Sequence, residues 1–142
     1  SRKNGKRSRS LMEENFQIEI IGPEKIIFSD NVKSVILPSY EGNMSILKKH
    51  ISLITFLRPG IIKVENHNSS LEEFFVQDGT VEFFEDKLVV LSSSTISLKD
   101  LTKSFIDNLN NDTENKLLQK DITDRDRYLL NHKLDTLKEI RI

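Results

Sequence analysis

Cysteine and alanine are both absent from these 142 residues, and glycine is scarce. Without cysteine the chain can form neither disulfides nor thiolate metal sites, and it has no cysteine nucleophile. Without alanine its helix interfaces need larger side chains, and its helices are intrinsically less stable than alanine-rich ones. The glycines are too scattered to form a glycine-rich phosphate-binding loop. They stand singly, as Gly5, Gly22, Gly42, Gly60 and Gly79.

Long apolar runs are missing as well. No stretch approaches the roughly 20 apolar residues that a membrane-spanning helix requires. We therefore expect that the chain does not insert into a membrane and that a partner makes any link to one.

The net charge of −1 conceals an uneven distribution. Residues 1–11 carry five basic and no acidic side chains, residues 12–96 carry seven basic and thirteen acidic ones, and residues 97–142 carry nine of each. A basic segment of this kind can bind nucleic acid by releasing phosphate counterions. Because no aromatic residue is interleaved with the basic ones, we favour a disordered leader or expression remnant before Met12. We expect no nucleic-acid partner.

Short strand-like runs separated by turn residues fill the chain from about residue 15 to residue 91. Phe16, Ile18 and Ile20 share one face of the first run, which is the period-two pattern of a half-buried strand. Lys25–Ser29 and Val32–Leu37 are predicted as separate strands. About nine or ten such strands predict an antiparallel β-sandwich over residues 12–93.

Turn residues punctuate these runs and refine the prediction. Pro38 is expected to end the strand before it, and Arg58-Pro59-Gly60 is a strong turn signal. Asp78-Gly79 is the dipeptide that best suits a tight hairpin, so the strands on its two sides are predicted to pair.

From about residue 94 the apolar spacing becomes helical. Leu98, Leu101, Phe105 and Leu109 fall within an arc of about 80° at 100° per residue, and Ser97 with Asp100 resembles a capping box. A loop at residues 110–113 and a second helix over about 114–140 complete the prediction. Residues 94–142 are thus expected to form an antiparallel two-helix hairpin, the less stable half of the chain.

Residues that usually perform catalysis or bind metals are few and scattered. His50, His67 and His132 lie far apart, and the chain has neither a zinc-type histidine pair nor a serine-nucleophile motif. Asp124 and Asp126 lack the glycine and distal glutamate of a calcium loop, so we favour a solvated charged face. We expect no catalytic residue, no metal and no cofactor.

Two aromatic pairs, Phe74-Phe75 and Phe83-Phe84, could stack nucleic-acid bases on a sheet surface. Strand alternation instead places one member of each pair in the core and the other outside or against a partner. Because no basic patch lies nearby in the sequence, we favour the core and a protein interface.

The order of these features resembles the epsilon subunit of bacterial-type F-type ATP synthases, a family homologous to the mitochondrial delta subunit. The stretch 41–60 is similar to the family pattern E-G-x-x-G-I-x-P-G-H-x-P-x-x-x-x-L-x-P-G. Ser45, Lys48-Lys49 and Ser52 depart from that pattern, and Phe105 stands where some members carry an ATP-binding Arg. ATP binding is therefore not carried over. The matching residues are Glu41, Gly42, Ile46, His50, Leu57, Pro59 and Gly60.

The resemblance implies a non-catalytic rotor subunit in the central stalk of a proton-translocating synthase, peripheral on the cytoplasmic face of a bacterial inner membrane. It implies contacts with the gamma subunit, the c-ring and the catalytic alpha and beta subunits. By the same resemblance, the residues expected at the c-ring are Glu41, Gly42, Asn43, Met44 and His50.

The resemblance also implies that the hairpin either folds onto the sandwich or extends towards the catalytic head and hinders ATP hydrolysis. The cationic residues that could contact the head are Arg127, Lys133, Lys138 and Arg141. The alternative is a stand-alone protein-interaction module with the same two parts and no rotary complex.

Overall fold

The computed structural model describes residues 14–141, so the predicted leader at residues 1–11 lies outside the described residues. A strand-rich part is followed by a short 3-10 turn and two helices, which confirms the predicted β-sandwich with a C-terminal helical hairpin. The strands are β1 (Phe16–Ile21), β2 (Ile26–Ser39), β3 (Gly42–Leu47), β4 (Leu53–Leu57), β5 (Gly60–Asn66), β6 (Leu71–Val76), β7 (Gly79–Phe84), β8 (Lys87–Leu91) and β9 (Ile96–Ser97). The turn is Leu98–Asp100, and the helices are α1 (Lys103–Leu117) and α2 (Asp124–Glu139).

The long strand β2 joins the two layers of the sandwich. Its first half pairs with β1, and its second half pairs with β3 and β5. One layer has the order β3-β2-β5-β6-β9, and the other has the order β2-β1-β8-β7-β4. The pairings of the described strands are antiparallel except for β1 with β8, which are parallel. The sheet is therefore mixed, whereas the sequence predicted antiparallel pairing throughout.

β2 is one strand of 14 residues, so the prediction of two strands there was wrong. Its pairing with β5 shifts register between Val32 and Ser34. Such an irregularity bends a strand, which fits the passage of β2 from one layer to the other. Pro38 lies near the end of the strand, where a missing N–H is tolerated, and its carbonyl still accepts a hydrogen bond from the Arg58 N–H at 3.0 Å.

The turn at Asp78-Gly79 does not form the predicted hairpin. β6 pairs with β5 and β9, whereas β7 pairs with β4 and β8, so this turn carries the chain between layers. Gly79 has a φ of +148°, and a Cβ there would lie 2.7 Å from the Leu91 carbonyl oxygen. Glycine is thus required by both conformation and space, but the turn chemistry does not decide which strands pair.

The sandwich core is built from alternate strand residues, as the period-two pattern predicted. Phe16, Ile18 and Ile20 are at most 2% exposed. Phe16 meets Phe83 edge-on with ring centroids 5.6 Å apart. Phe84, the next residue, points outwards, which fits the expectation for this pair.

A second apolar cluster holds the helical hairpin on the outer face of the β5-β6-β9 layer. Phe75 is fully buried there together with Leu101 and Leu137. Phe74 and Phe75 are therefore both buried, one in the sandwich core and the other beneath the helices. The outward member of this pair meets the chain's own hairpin.

The helix boundaries differ from the predicted ones. α1 begins at Lys103, where the Thr102 hydroxyl accepts a hydrogen bond from the Phe105 N–H at 3.1 Å, and it continues through residues 110–113. Thr113 lies buried within this helix, and its hydroxyl donates to the Leu109 carbonyl one turn earlier at 2.6 Å. Ser97 caps the 3-10 turn, where its hydroxyl accepts from the Lys99 N–H at 3.4 Å, but it does not start α1. The predicted loop at 110–113 was wrong.

The second helix is shorter than predicted. α2 begins at Asp124 and is capped by Thr123, whose hydroxyl accepts from the Asp126 N–H at 3.0 Å. Asp124 and Asp126 consequently lie in the first turn, where carboxylates interact favourably with the helix dipole. Residues 124–127, which the predicted bounds of about 114–140 place well inside the helix, are its start.

Candidate partner interfaces

A cluster of polar and aromatic side chains fastens α2 to the sandwich, and we call it the clasp. Its members come from the end of β2, the turn after β4, and the exposed side of α2. They are Tyr40, Arg58, Arg125, Tyr128 and His132.

The tyrosines and Arg125 form one side of the clasp. The Tyr128 hydroxyl donates to the Tyr40 carbonyl at 2.8 Å, and the two rings stack with centroids 6.2 Å apart. Arg125 donates to the Tyr40 hydroxyl at 3.4 Å and lies 6.0 Å from its ring centroid. The hydrogen bond to Tyr40 raises the pKa of Arg125. These contacts attach the first turns of α2 to the β2–β3 turn.

Arg58 and His132 form the other side. Arg58 donates through Nε to the Ser39 carbonyl at 2.8 Å, and its Nη1 donates to His132 Nδ1. The imidazole also meets Tyr128 edge-on, with centroids 4.5 Å apart. Burial, followed by the charge of Arg58, lowers the pKa of His132. One helical turn further on, the Thr136 hydroxyl approaches the Pro59 carbonyl at 3.4 Å.

The opposite layer carries an exposed apolar surface. On β4, Ile54 is 75% and Phe56 is 59% exposed, and Phe84 on β7 and Leu91 on β8 are about half exposed. The strand registers place Phe56 and Leu91 on either side of Thr80. We call Ile54, Phe56, Phe84 and Leu91 the apolar stripe. Thr80, Glu82 and Lys87 are the polar residues paired with members of this stripe. Several large exposed apolar side chains on one face are typical of a protein-interaction surface.

A cleft of about 700 Å³ extends from the apolar stripe to the start of α2. Phe56, Thr80 and Leu91 line it on the side of the sheet, and Tyr40 and Arg125 line it near the hairpin. The cleft therefore combines apolar walls with the guanidinium group of Arg125, the carboxylate of Asp78 and serine hydroxyls.

Four of the five residues expected at the c-ring lie together. Glu41 and Gly42 follow Tyr40 at the β2–β3 turn, Asn43 is exposed at the start of β3, and Met44 packs partly against the core. This turn is next to the clasp.

His50 is not part of that group, because it follows the opposite end of the six-residue strand β3. At about 3.3 Å per residue the strand separates the two places by roughly 20 Å. The His50 ring meets Phe83 edge-on at 6.1 Å, and its Nδ1 contacts the Ile51 carbonyl at 2.8 Å.

The four cationic residues expected to face the catalytic head are also divided. Arg127, Lys138 and Arg141 are exposed. Lys133 is half-buried in a groove that Lys116 and Asp78 also line. Burial, followed by the charge of Lys116, lowers the pKa of Lys133. While the hairpin is docked, Lys133 does not share the open surface of the other three.

No group of three or more metal-ligating side chains converges within residues 14–141. None of the helices in that same range has both the length and the apolar character needed to cross a bilayer.

The sequence is similar to that of known proteins over nearly its whole length. Residues 15–97 match the model of the ATP synthase delta/epsilon chain, β-sandwich domain. The ATP synthase epsilon chain of Pelagibacter ubique is 45% identical over 130 residues, which cover 91% of this chain and 99% of that protein. The chain belongs to the ATP synthase epsilon chain family. The epsilon chain of Parvibaculum lavamentivorans is 36% identical, with 92% of this chain and 98% of that protein covered.

Two solved structures share the fold. A chain in the mitochondrial ATP synthase of Euglena gracilis, solved with OSCP, F1 and the c-ring, aligns with a TM-score of 0.73 and 15% identity over 88% of this chain and 80% of its own length. A chain in the central stalk and c-ring of the Tetrahymena thermophila mitochondrial ATP synthase aligns with a TM-score of 0.56 and 14% identity, covering 87% and 93%. At such low sequence identity, these two alignments show a shared fold and nothing more.

Sequence reasoning missed the clasp, although its components were visible. Arg58 was assigned only to a turn, and Tyr40, Arg125 and Tyr128 were not singled out as contacts. His132 stood out only as one of three histidines that lie far apart in the sequence. The available signal was the coincidence of aromatic and cationic residues at the start of α2, but the sequence did not indicate what they would meet.

Proposed function

We propose that this chain is a non-catalytic central-stalk subunit of a proton-translocating F-type ATP synthase, that it links the gamma subunit to the c-ring, and that its C-terminal helices inhibit ATP hydrolysis. Membership of the epsilon chain family supports the assignment to the synthase. The Euglena and Tetrahymena assemblies contain F1, c-ring or central-stalk components and a chain of this fold. The proposed position is peripheral, on the cytoplasmic face of a bacterial inner membrane, with the catalytic alpha and beta subunits as further partners.

The observation that carries this proposal is the difference between the two outer faces of the sandwich. Phe75, on one face, is covered by the hairpin, whereas the apolar stripe on the other face is open. We assign the apolar stripe to the gamma subunit, because large exposed aromatic and aliphatic side chains are the residues that anchor protein interfaces. The neighbouring cleft would receive a side chain of that partner, with Arg125 at its edge.

We assign the c-ring contact to the turn formed by Glu41, Gly42 and Asn43, with Met44 as its anchor in the core. His50 lies about 20 Å away along β3, so one compact contact would not include both places. In this proposal His50 and the exposed Ile51 belong to a separate part of the rotor interface.

Inhibition would require the hairpin to leave the sandwich and reach the catalytic head. Arg127, Lys138 and Arg141 are open to such a contact already, and undocking would also uncover Lys133. Two arrangements of one element, each with its own contacts, are the physical basis of a switch of this type.

The gamma assignment can be tested with purified gamma subunit and the full chain. The variant Phe56→Glu places a charge in the apolar stripe, between Ile54 on the same strand and Leu91 across Thr80. We expect it to cost at least about 2 kcal/mol of binding free energy, which is about a 30-fold rise in Kd. The matched control is Leu71→Glu, because Leu71 is similarly exposed on the other layer.

The outcome separates the alternatives. Equal binding of gamma by both variants would refute the assignment of the stripe. No binding of gamma by the unaltered chain would favour the stand-alone interaction module instead.

Inhibition needs a separate experiment in the reconstituted complex. Deletion of residues 102–142 removes both helices but keeps β9 paired with β6. We expect retained assembly and a higher rate of ATP hydrolysis. An unchanged rate in a complex that contains the truncated chain would mean that the hairpin does not inhibit.

A further inference from the structure

We propose that the clasp makes hairpin docking pH-dependent, because protonation of His132 breaks its contact with Arg58 and releases α2 from the sandwich. This inference concerns the isolated chain. It stands or falls independently of the assembly proposed above.

The hydrogen-bonding capacity of the two side chains is the first argument. An arginine guanidinium group has only N–H donors and remains charged at all ordinary pH values. His132 can therefore accept a hydrogen bond from Arg58 only through an unprotonated ring nitrogen, and Nδ1 is the nearer of the two. Protonation of the neutral ring makes both nitrogens donors and places two positive charges side by side. The docked hairpin thus favours a neutral imidazole.

The surroundings of His132 oppose protonation. Arg58 faces it from the β4–β5 turn, and Tyr128, a neutral group, faces it from the preceding turn of its own helix. Asp135, exposed one turn further along α2, is the carboxylate that favours the charged form. From the β2–β3 turn, Tyr40 contacts Tyr128 and not the imidazole. Burial and Arg58 outweigh Asp135, so the pKa of His132 lies below its usual value of 6.5.

The sign of the pH effect follows from this shift. The undocked imidazole regains an ordinary pKa, so below about pH 6.5 the undocked state binds a proton more readily than the docked state. Docking is fully favoured above that value and weakens as the pH falls through it, until the lowered pKa of the docked state is also passed. For a fall from pH 7.5 to pH 5.5 the undocking equilibrium rises by at most about tenfold.

The other contacts of α2 are few, so a tenfold change in the undocking equilibrium is large enough to matter for docking. Apart from His132, α2 is held by Leu137 in the small cluster with Phe75 and Leu101, with Ile140 packed against it. The hydroxyl contacts of Tyr128 and Thr136 and the contact of Arg125 with Tyr40 complete its attachment. Small, partly polar interfaces of this kind open locally at a lower free energy than a sheet core does. Release of α2 can therefore occur while the sandwich stays folded.

Hydrogen–deuterium exchange of the full chain at pH 7.5 and 5.5, corrected for the intrinsic exchange rate, tests the proposal. We expect the protection of α2 amides to fall by up to about tenfold at the lower pH, while the protection of β7 is unchanged. The variant His132→Gln has no titrating ring and should lose this pH response. His50→Gln and His67→Gln should keep it, because both histidines lie outside the clasp.

If His132→Gln undocks the hairpin at both pH values, it cannot show whether His132 is the titrating group. The Arg58→Gln variant resolves that case. It removes the positive neighbour but leaves the imidazole, so the pH response of α2 should shrink. The proposal is overturned if α2 protection in the unaltered chain does not change with pH, if His132→Gln responds like the unaltered chain, or if Arg58→Gln keeps the full response.

Discussion

The sandwich and the hairpin differ in where their stability comes from. In the described part of the chain, sixteen buried apolar side chains form the core of the sandwich, whereas three form the cluster beneath the helices. Each buried aliphatic or aromatic side chain contributes about 1.5–3 kcal/mol. The sandwich is therefore expected to fold on its own account, and the hairpin is stabilised largely by the surface on which it lies.

The helices themselves reinforce this difference. α1 has 15 residues and α2 has 16, and neither contains alanine. Helices of about 12–15 residues are marginal in water even in alanine-rich sequences. A helix pair whose stability depends on docking can be released by a small change in its contacts. A switch requires this property, whereas the core of the sandwich must resist such a release.

The largest expected effect lies in the sandwich core. Phe83→Ala removes a ring that is 1% exposed and packed against Phe16, and should lower the free energy of unfolding by about 3–5 kcal/mol. The neighbouring variant Phe84→Ala removes an exposed ring and should change it by less than about 0.5 kcal/mol. Urea denaturation measures both. Similar losses of unfolding free energy in the two variants would contradict the assignment of Phe83 to the core face and of Phe84 to the outer face of β7.

The next largest effect distinguishes docking of the hairpin from folding of the sandwich. Leu137→Ala should weaken hairpin docking by about 2–4 kcal/mol, because Leu137 is 4% exposed in the small cluster. Hydrogen exchange should quicken in α2 but not in β7. Leu118→Ala, at a position that is 81% exposed, is the control. If the Leu137 variant loses protection in both elements equally, the two parts unfold as one unit and the comparison fails.

A smaller effect concerns the helix itself. Thr123→Ala removes the hydroxyl that caps α2 and should cost about 1 kcal/mol. Thr123→Ser keeps a capping hydroxyl and should be close to the unaltered chain. The measurement is the protection of the first turns of α2. No difference between the two variants would show that tertiary contacts alone hold this end.

The smallest effect is expected at the surface ion pair between Lys99 and Glu72, whose nitrogen and oxygen lie 3.2 Å apart. Lys99→Gln should cost about 0.2–1 kcal/mol at low salt, because an exposed pair is weakened by solvent. The loss should disappear at high ionic strength. A cost above this range that persists in salt would indicate that Lys99 anchors the hairpin in another way.

Particular residues show how far sequence reasoning reached. The alternation of Phe16, Ile18 and Ile20 placed them correctly in a core, because a strand has a local period of two. The strand break predicted between Ser29 and Val32 and the hairpin predicted at Asp78-Gly79 were wrong, since neither residue pattern specifies a pairing partner. The candidate site was predictable only in part: Glu41–Met44 do lie together, but the separation of His50 and the burial of Lys133 depend on the fold.

The sequence by itself determined the two-part organisation, the strand-rich character of the first part, the helical character of the second and the family to which the chain belongs. These follow from local periodicity, turn chemistry and residue matches at fixed spacing. Only the tertiary structure decided which strands pair, which outer face the helices cover, and that Arg58 meets His132 across 74 positions. Such contacts depend on surfaces that come together only after the layers have formed, so no local pattern encodes them.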